Sequence, residues 1–220
     1  MAGTVEVAGR RIDKPGTAVP ADASLAVAGP REPFVSRAGR KLEHALDHFA
    51  LDVAGAVCLD VGASTGGFTD CLLARGAARV YAVDVGYGQL DQRLRGDPRV
   101  VVMERVNARH LAPDALPEPC DLATVDVSFI SLRKVVPALL PQLRPGGRLL
   151  ALVKPQFEAG RGAVGKGGIL RHEAVRRRVV ESTAAGLVEL GLDLIGIDDE
   201  LIPGAGGNRE AFALLAWRRA

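Results

Sequence analysis

Between residues 56 and 217 short apolar runs alternate with segments of helical periodicity, and this alternation leaves the chain very few folds. The runs at 56–61, 79–84, 100–103, 121–126 and 148–154 are rich in Val, Leu and Ala. A strand that is apolar on both faces needs cover on both faces, as in a parallel sheet flanked by helices. Helical segments are predicted at 65–75, 133–143 and 173–190, with Gly76 and Gly191 placed to stop the first and last. Two final runs, 192–197 and 211–217, have no helix between them and are expected to be antiparallel neighbours. The pattern predicts a doubly wound α/β sheet.

The chain before residue 31 differs. Residues 4–7 alternate as a strand does and 24–27 can form another, with Gly9, Pro15, Gly16 and Pro20 as turn residues between them. So short a segment cannot build its own core, so 1–30 is expected to be a small β appendage ending in an Ala28-Gly29-Pro30 linker, with 31–220 as the main domain. That domain opens on a helix from Ser36 to about Phe49, whose Leu42, Leu46 and Phe49 share one face. No apolar run reaches the roughly 18 residues of a membrane span. The first residues lack the basic-then-apolar order of a signal peptide. Three cysteines without metal-type spacing read as reduced thiols, so a cytoplasmic protein without a membrane partner is expected, with a monomer favoured.

Ligands of such sheets bind at the carboxyl ends of the strands. There the first run of the main domain leads into Asp60-Val61-Gly62-Ala63-Ser64-Thr65-Gly66-Gly67-Phe68. A dinucleotide fingerprint starting at Gly62 requires glycine at position 64, which is Ser64. An acidic residue followed by Gly and a Gly pair instead resembles the S-adenosylmethionine loop of Rossmann-like methyltransferases. That ligand has no pyrophosphate, so a nearby Asp60 is tolerable. Asp84 ends the next strand 22 residues after Gly62, where a carboxylate can accept both ribose hydroxyls, and Asn107 follows the third, where an amide can read an adenine edge. The loop alone would pass for an ordinary strand–helix turn; with Asp84 it reads as a cofactor site comprising Asp60, Gly62, Ser64, Thr65, Gly66, Gly67, Asp84, Asn107 and Asp126.

Net charge is only +2, but residues 154–178 carry seven basic side chains against two acidic ones. Within this window Gly160-Arg161-Gly162-Ala163-Val164-Gly165-Lys166-Gly167 nearly spells a phosphate-binding loop. Gly167 stands where the magnesium-binding Ser or Thr would be, so a mobile basic lid over a substrate is the better reading. Arg161, Lys166 and Arg171 here, with Arg37 and Arg40 at the start of the opening helix, are candidate phosphate contacts.

Four further polar residues fall at the sheet's ligand-binding edge: Lys41 on the opening helix, and Asp126, Lys154 and Glu210 at strand ends. In this order they resemble the tetrad of the FtsJ/RrmJ-like ribose 2′-O-methyltransferases. Their surroundings (Ser-Arg-x-Gly-x-Lys-Leu, Asp-Val-Ser-Phe-Ile-Ser-Leu, Val-Lys-Pro-Gln-Phe-Glu and Gly-Asn-x-Glu) are similar to the TlyA family, often labelled hemolysin A. The resemblance covers residues 5–219. It implies a Rossmann-like methyltransferase fold with a mostly parallel seven-stranded sheet and an antiparallel last strand. It also implies S-adenosylmethionine as cofactor, ribosomal RNA or ribosomal subunits as partner, and methylation of cytidine ribose. Residues 3–27, including Lys14-Pro15-Gly16, resemble only the last β portion of the family's N-terminal RNA-binding domain. A non-catalytic RNA-binding or ribosome-assembly factor and a membrane-lytic protein are the competing functions.

The chemistry asks something definite of these residues. A ribose hydroxyl is a poor nucleophile, so a base must take its proton as it attacks the methyl carbon in line with the departing sulfur. Lys154 is the candidate base. An ordinary lysine is neutral in only about one molecule in a thousand near pH 7.4, and lowering its pKa by about three units needs about 4 kcal/mol of differential interaction. Lys41 and the sulfonium supply like charge, while Asp126 and Glu210 orient. Phe129 and Phe157, which follow the two strand-end candidates, either stack on a base or close the core. Ser128 lacks a nucleophile-elbow pattern. His44 and His48 stand at i, i+4 with no third ligand at suitable spacing, so no metal is expected and they read as solvated histidines.

Overall fold

The computed structural model describes residues 5–12, 14, 16–27, 33–160, 165, 168–170, 172–199 and 207–218. It forms two compact units, Met1–Pro33 and Phe34–Ala220. The first holds β1 (Val5–Val7), β2 (Arg10–Ile12) and β3 (Leu25–Val27), an antiparallel sheet in the order β2-β1-β3. Val7 pairs with Arg10 across a two-residue turn in which Ala8 and Gly9 both have positive φ, 47° and 77°. That turn's twist matches the twist of the strands it joins, so it creates a strand at Arg10–Ile12 that lacks an apolar signal of its own. The linker expected at 28–30 lies outside the described residues.

The second unit runs α1 (Ala38–His48), β4 (Val57–Val61), α2 (Gly67–Ala74), β5 (Arg79–Asp84), α3 (Gln92–Arg95), β6 (Val100–Glu104), β7 (Cys120–Val125), α4 (Leu132–Leu139), β8 (Leu143–Val153), α5 (Pro155–Glu158), α6 (Glu173–Val188), β9 (Leu192–Asp198) and β10 (Ala211–Trp217). Its seven-stranded sheet has the order β6-β5-β4-β7-β8-β10-β9. The pairs β4–β5, β5–β6, β4–β7 and β7–β8 are parallel, and β10 is antiparallel to both neighbours. This is the expected doubly wound sheet with an antiparallel final strand. The chain first winds outward from β4 and then returns to lay β7 on its other side. A crevice opens where the connections diverge, at the carboxyl ends of β4 and β7.

Period-two alternation sorts the side chains between two core layers. Leu59 and Val61 of β4 pack into the layer shared with α4 and α6, while Cys58 joins Leu42, Leu46, Phe68 and Leu72 of α1 and α2 on the other face. Asp60 therefore points beneath α2, a point that matters below.

Several boundaries differ from expectation for local reasons. The opening helix begins at Ala38 rather than Ser36. The helix expected to reach 143 ends at Leu139, and Leu140–Gln142 tighten into a 3-10 turn with Pro141 at its start. β8 begins at Leu143, ahead of Pro145-Gly146-Gly147, because its register against β7 slips between Cys120 and Leu122 and absorbs those residues. The two shortest helices are built by caps rather than periodicity. The Asp91 carboxylate accepts from Arg93 N–H at α3, and Pro155 opens α5 where its missing N–H is no loss.

Candidate active site

Gly62 has φ 85°, and a Cβ there would lie 2.3 Å from the carbonyl oxygen of Asp126. Only a glycine lets the β4 and β7 ends approach this closely. The approach is sealed by Asp126 N–H donating to Val61 O at 2.8 Å, and on the other side Gly62 N–H donates to Val83 O of β5 at 2.8 Å. Gly66 caps α2. Gly67 meets the segment before α1, since a Cβ there would be 2.2 Å from Ser36 Oγ. A second tie across this contact is Val35 N–H donating to Asp70 at 2.8 Å. The loop glycines thus serve close backbone packing.

Two cavities share Gly62, Ser64 and Asp126. The larger, about 400 Å³, is also lined by Asp84, Asn107 and Phe129, with Val83, Val106 and Ile130 supplying apolar wall. The smaller, about 120 Å³, is lined by Thr65, Gly67 and Ser36. The Asp84 carboxylate accepts Ser64 N–H at 2.8 Å and Gly86 N–H at 2.7 Å. A carboxylate has about four lone-pair sites, so capacity remains for a pair of vicinal hydroxyls. Asn107 Oδ1 accepts Arg109 N–H at 3.1 Å, which holds the amide on the cavity wall.

Asp60 departs from expectation. It lines neither cavity and is fully buried. Thr69 Oγ1 donates to it at 2.7 Å and Thr124 Oγ1 at 3.2 Å. Burial pushes its carboxyl up to about 7; the two threonine hydrogen bonds oppose that shift and the charge of Asp126 adds to it. Asp60 braces β4, α2 and β7 from below the loop.

The four strand-end and helix residues form two ion pairs. Lys41 Nζ lies 2.5 Å from Glu210 Oε2, with side-chain exposures of 13% and 6%. Lys154 Nζ lies 2.5 Å from Asp126 Oδ1, with exposures of 14% and 19%, and donates to Ser128 Oγ at 3.1 Å. Asp126, which lines both cavities, places the second pair at their edge. Ser128 is a partner that the sequence reading passed over, having tested it only as a nucleophile.

Phe129 does not close the core. It is 89% exposed, has φ 63°, and its ring centroid lies 4.8 Å from that of Phe157. Glu158 ties the segment after β7 to α5, accepting Ser131 Oγ–H at 2.6 Å and Leu132 N–H at 2.8 Å. Burial raises its carboxyl. The only sequence sign of this clamp was its place at the end of Val-Lys-Pro-Gln-Phe-Glu. Arg37 and Arg40 are exposed at the start of α1, whereas Arg161, Lys166 and Arg171 lie outside the described residues, as does most of the basic lid. His44 and His48 are not merely solvated, for both face the buried Asp198.

A family described as FtsJ-like methyltransferase matches residues 34–216. The chain belongs to the FtsJ-like methyltransferase family. This FtsJ-like chain is 49% identical over 215 residues to a Mycobacterium tuberculosis protein named 16S/23S rRNA (cytidine-2'-O)-methyltransferase TlyA, covering 97% of this chain and 80% of the relative. A solved structure from Streptococcus thermophilus bearing the hemolysin name is 45% identical, with TM-score 0.87, over 100% of this chain and 81% of that one. The resemblance to TlyA proteins that also carry the hemolysin name therefore holds. A Listeria monocytogenes structure described as an S-adenosylmethionine dependent methyltransferase has TM-score 0.61 at 16% identity, covering 84% of this chain and 100% of that one, and shows the shared fold alone.

Proposed function

We propose that this FtsJ-like chain transfers a methyl group from S-adenosylmethionine to the ribose 2′-hydroxyl of cytidine in ribosomal RNA. The observation that carries the reading is the Lys154–Asp126 pair at the edge of a cavity whose far wall is Asp84. The cavity fits the cofactor's chemistry. The Asp84 carboxylate is placed for ribose hydroxyls, Asn107 for the adenine, and the acidic lining suits a sulfonium better than a pyrophosphate. Gly62, Ser64, Thr65, Gly66 and Gly67 present backbone to the remainder. When bound, the cofactor supplies an electrophilic methyl group.

The chain's own residues supply the rest. Lys154 Nζ, in its neutral form, would take the proton of the attacking hydroxyl as the methyl carbon leaves the sulfur for that oxygen. Asp126 and Ser128 fix its position, and a correctly placed base is worth about 10²–10⁴ in rate. Lys41 and Glu210 form a second, nearly buried pair that orients the ribose. The exposed Phe129, backed by Phe157, stacks on the target base. Arg37, Arg40, Arg161, Lys166 and Arg171 hold RNA phosphates, and the three-stranded unit within residues 1–30 is an RNA-docking appendage to the 31–220 domain. A monomer working on ribosomal subunits in the cytoplasm follows from this reading. The relative's printed name, a cytidine 2′-O-methyltransferase of ribosomal RNA, supports it. Among the described residues no helix is long and apolar enough to cross a membrane.

The test is transfer from labelled cofactor to unmodified small and large ribosomal subunits, with the modified nucleotide mapped. A 2′-O-methylcytidine that falls by about 10²–10⁴ in Lys154→Ala at saturating cofactor and RNA is the expected result. Near-normal transfer by Lys154→Ala removes the base assignment. RNA binding without any transfer makes the protein an assembly factor.

A further inference from the structure

α1 carries a second polar set that methyl transfer leaves unused. His44 and His48 stand one turn apart, and both face Asp198 at the end of β9. His44 Nε2 is 3.0 Å from Asp198 Oδ2, and His48 Nδ1 is 3.8 Å from Oδ1. One ligand atom from each residue fits within a span of 4.8 Å, and among the described residues no other group of three or more His, Cys, Asp or Glu side chains does so. The Asp198 side chain is 0% exposed, while the two imidazoles are 40% and 41% exposed. Despite its short separation from the carboxylate, the buried Nε2 of His44 is not oriented to hydrogen-bond it. Two imidazole nitrogens and a buried carboxylate thus converge on one another from two elements.

We propose that His44, His48 and Asp198 bind a divalent transition-metal ion, Zn²⁺ foremost, which staples α1 to the end of β9. Ligand atoms of a tetrahedral zinc with bonds of about 2.1 Å lie about 3.4 Å apart; the 3.0 and 3.8 Å separations, each to a different oxygen of Asp198, bracket that value, and the 4.8 Å span of the set must tighten around an ion. Rotation of the exposed His48 ring closes the wider gap, and the half-open side leaves the fourth position to water. Two imidazoles and one carboxylate select a borderline ion such as Zn²⁺ over Mg²⁺ or Ca²⁺, which take mostly oxygen ligands. The staple acts on the helix that carries Lys41 three residues before His44, so it stiffens the mounting of the Lys41–Glu210 pair without touching the reacting atoms.

Chelator-treated full-length protein is titrated with Co²⁺ and with Zn²⁺, following cobalt d–d absorption, binding heat and melting temperature. One ion per chain is expected, with absorption of four-coordinate strength, a melting temperature raised by Zn²⁺, and no competition from excess Mg²⁺. His44→Ala and His48→Ala alter half-exposed side chains and spare the buried carboxylate. Each should weaken binding about a hundredfold or more, since even the groups that merely orient ligands are worth about 10–100-fold. They should also abolish the Zn²⁺-dependent rise in melting. Equal uptake by the wild type and the double histidine variant overturns the site, and displacement by Mg²⁺ overturns the metal class. None of these readouts depends on methyl transfer, so the site stands or falls apart from the proposed activity.

Discussion

Asp60 and Asp84 carry the same side chain on neighbouring strands, and their surroundings give them opposite duties. Asp84 meets two backbone N–H donors at an accessible edge, while Asp60 lies sealed under α2 with two threonine hydroxyls as partners. The acidic position in the loop was readable from the sequence, but its direction was not. Alternation puts residues 58 and 60 on one face of β4, yet only the fold decides that this face is the one α2 covers. The raised carboxyl of Asp60 has a consequence for stability. A group whose folded pKa lies above its unfolded value stabilises the fold fully below the unfolded pKa and loses that contribution as pH rises through the folded one. The window for Asp60 runs from about 4 to about 7. Asp60→Asn keeps the shape; one threonine hydroxyl still donates to the amide oxygen while the other reverses and accepts from the amide N–H. Wild-type stability relative to this variant should therefore fall by up to about 4 kcal/mol between pH 4 and pH 7, read from urea unfolding at each pH. A constant difference across that range would mean that Asp60 keeps an ordinary acidity.

At the scale of elements, legibility followed the source of each element's stability. β5, β10 and the start of α6 were placed by apolar pattern and agree with the structure. β2, α3 and α5 derive from a turn, a cap and a proline, and no window of periodicity contains them. The segment between β7 and α4 belongs with these. Glu158 fastens its far end, and within it Phe129 is held in a left-handed backbone conformation with its ring in solvent. Neither feature stabilises the fold, since the conformation costs about 1–2 kcal/mol and the exposed ring recovers little by burial. Phe129→Gly separates fold from function. It should stabilise the protein by about 1 kcal/mol in chemical denaturation. It should also lower kcat/KM for RNA about tenfold or more at saturating cofactor, because base–aromatic stacking is worth about 1–3 kcal/mol. Unchanged RNA kinetics in this variant would leave the strained ring without its proposed partner.

For the whole molecule, the winding order does what no local pattern does: it brings residues far apart in sequence to one edge. Lys41 and Glu210 meet because α1 packs near the sheet's antiparallel end, and His44 meets Asp198 for the same reason. The tetrad was still visible in sequence because each member sits beside a recognisable strand end or helix start. The His–His–Asp group was not, because its third member lies on a strand with no motif around it. The same winding makes the sheet one cooperative body. β4 lies inside the sheet with one face toward α1 and α2 and the other toward α4 and α6, so neither layer can leave without exposing the same strand. The three cysteines sample both sides: Cys58 and Cys71 in one layer, Cys120 in the other. All are buried, and burial pushes the Cys71 and Cys120 thiols up to about 12 and the Cys58 thiol higher still. Thiol reagents act on the exposed thiolate, so labelling reports opening of the structure. In a urea series all three should label with one shared midpoint, coincident with the loss of helical circular dichroism. Labelling of Cys120 at lower urea than Cys58 would show that the α4–α6 layer opens alone, and that β4 does not couple the two faces.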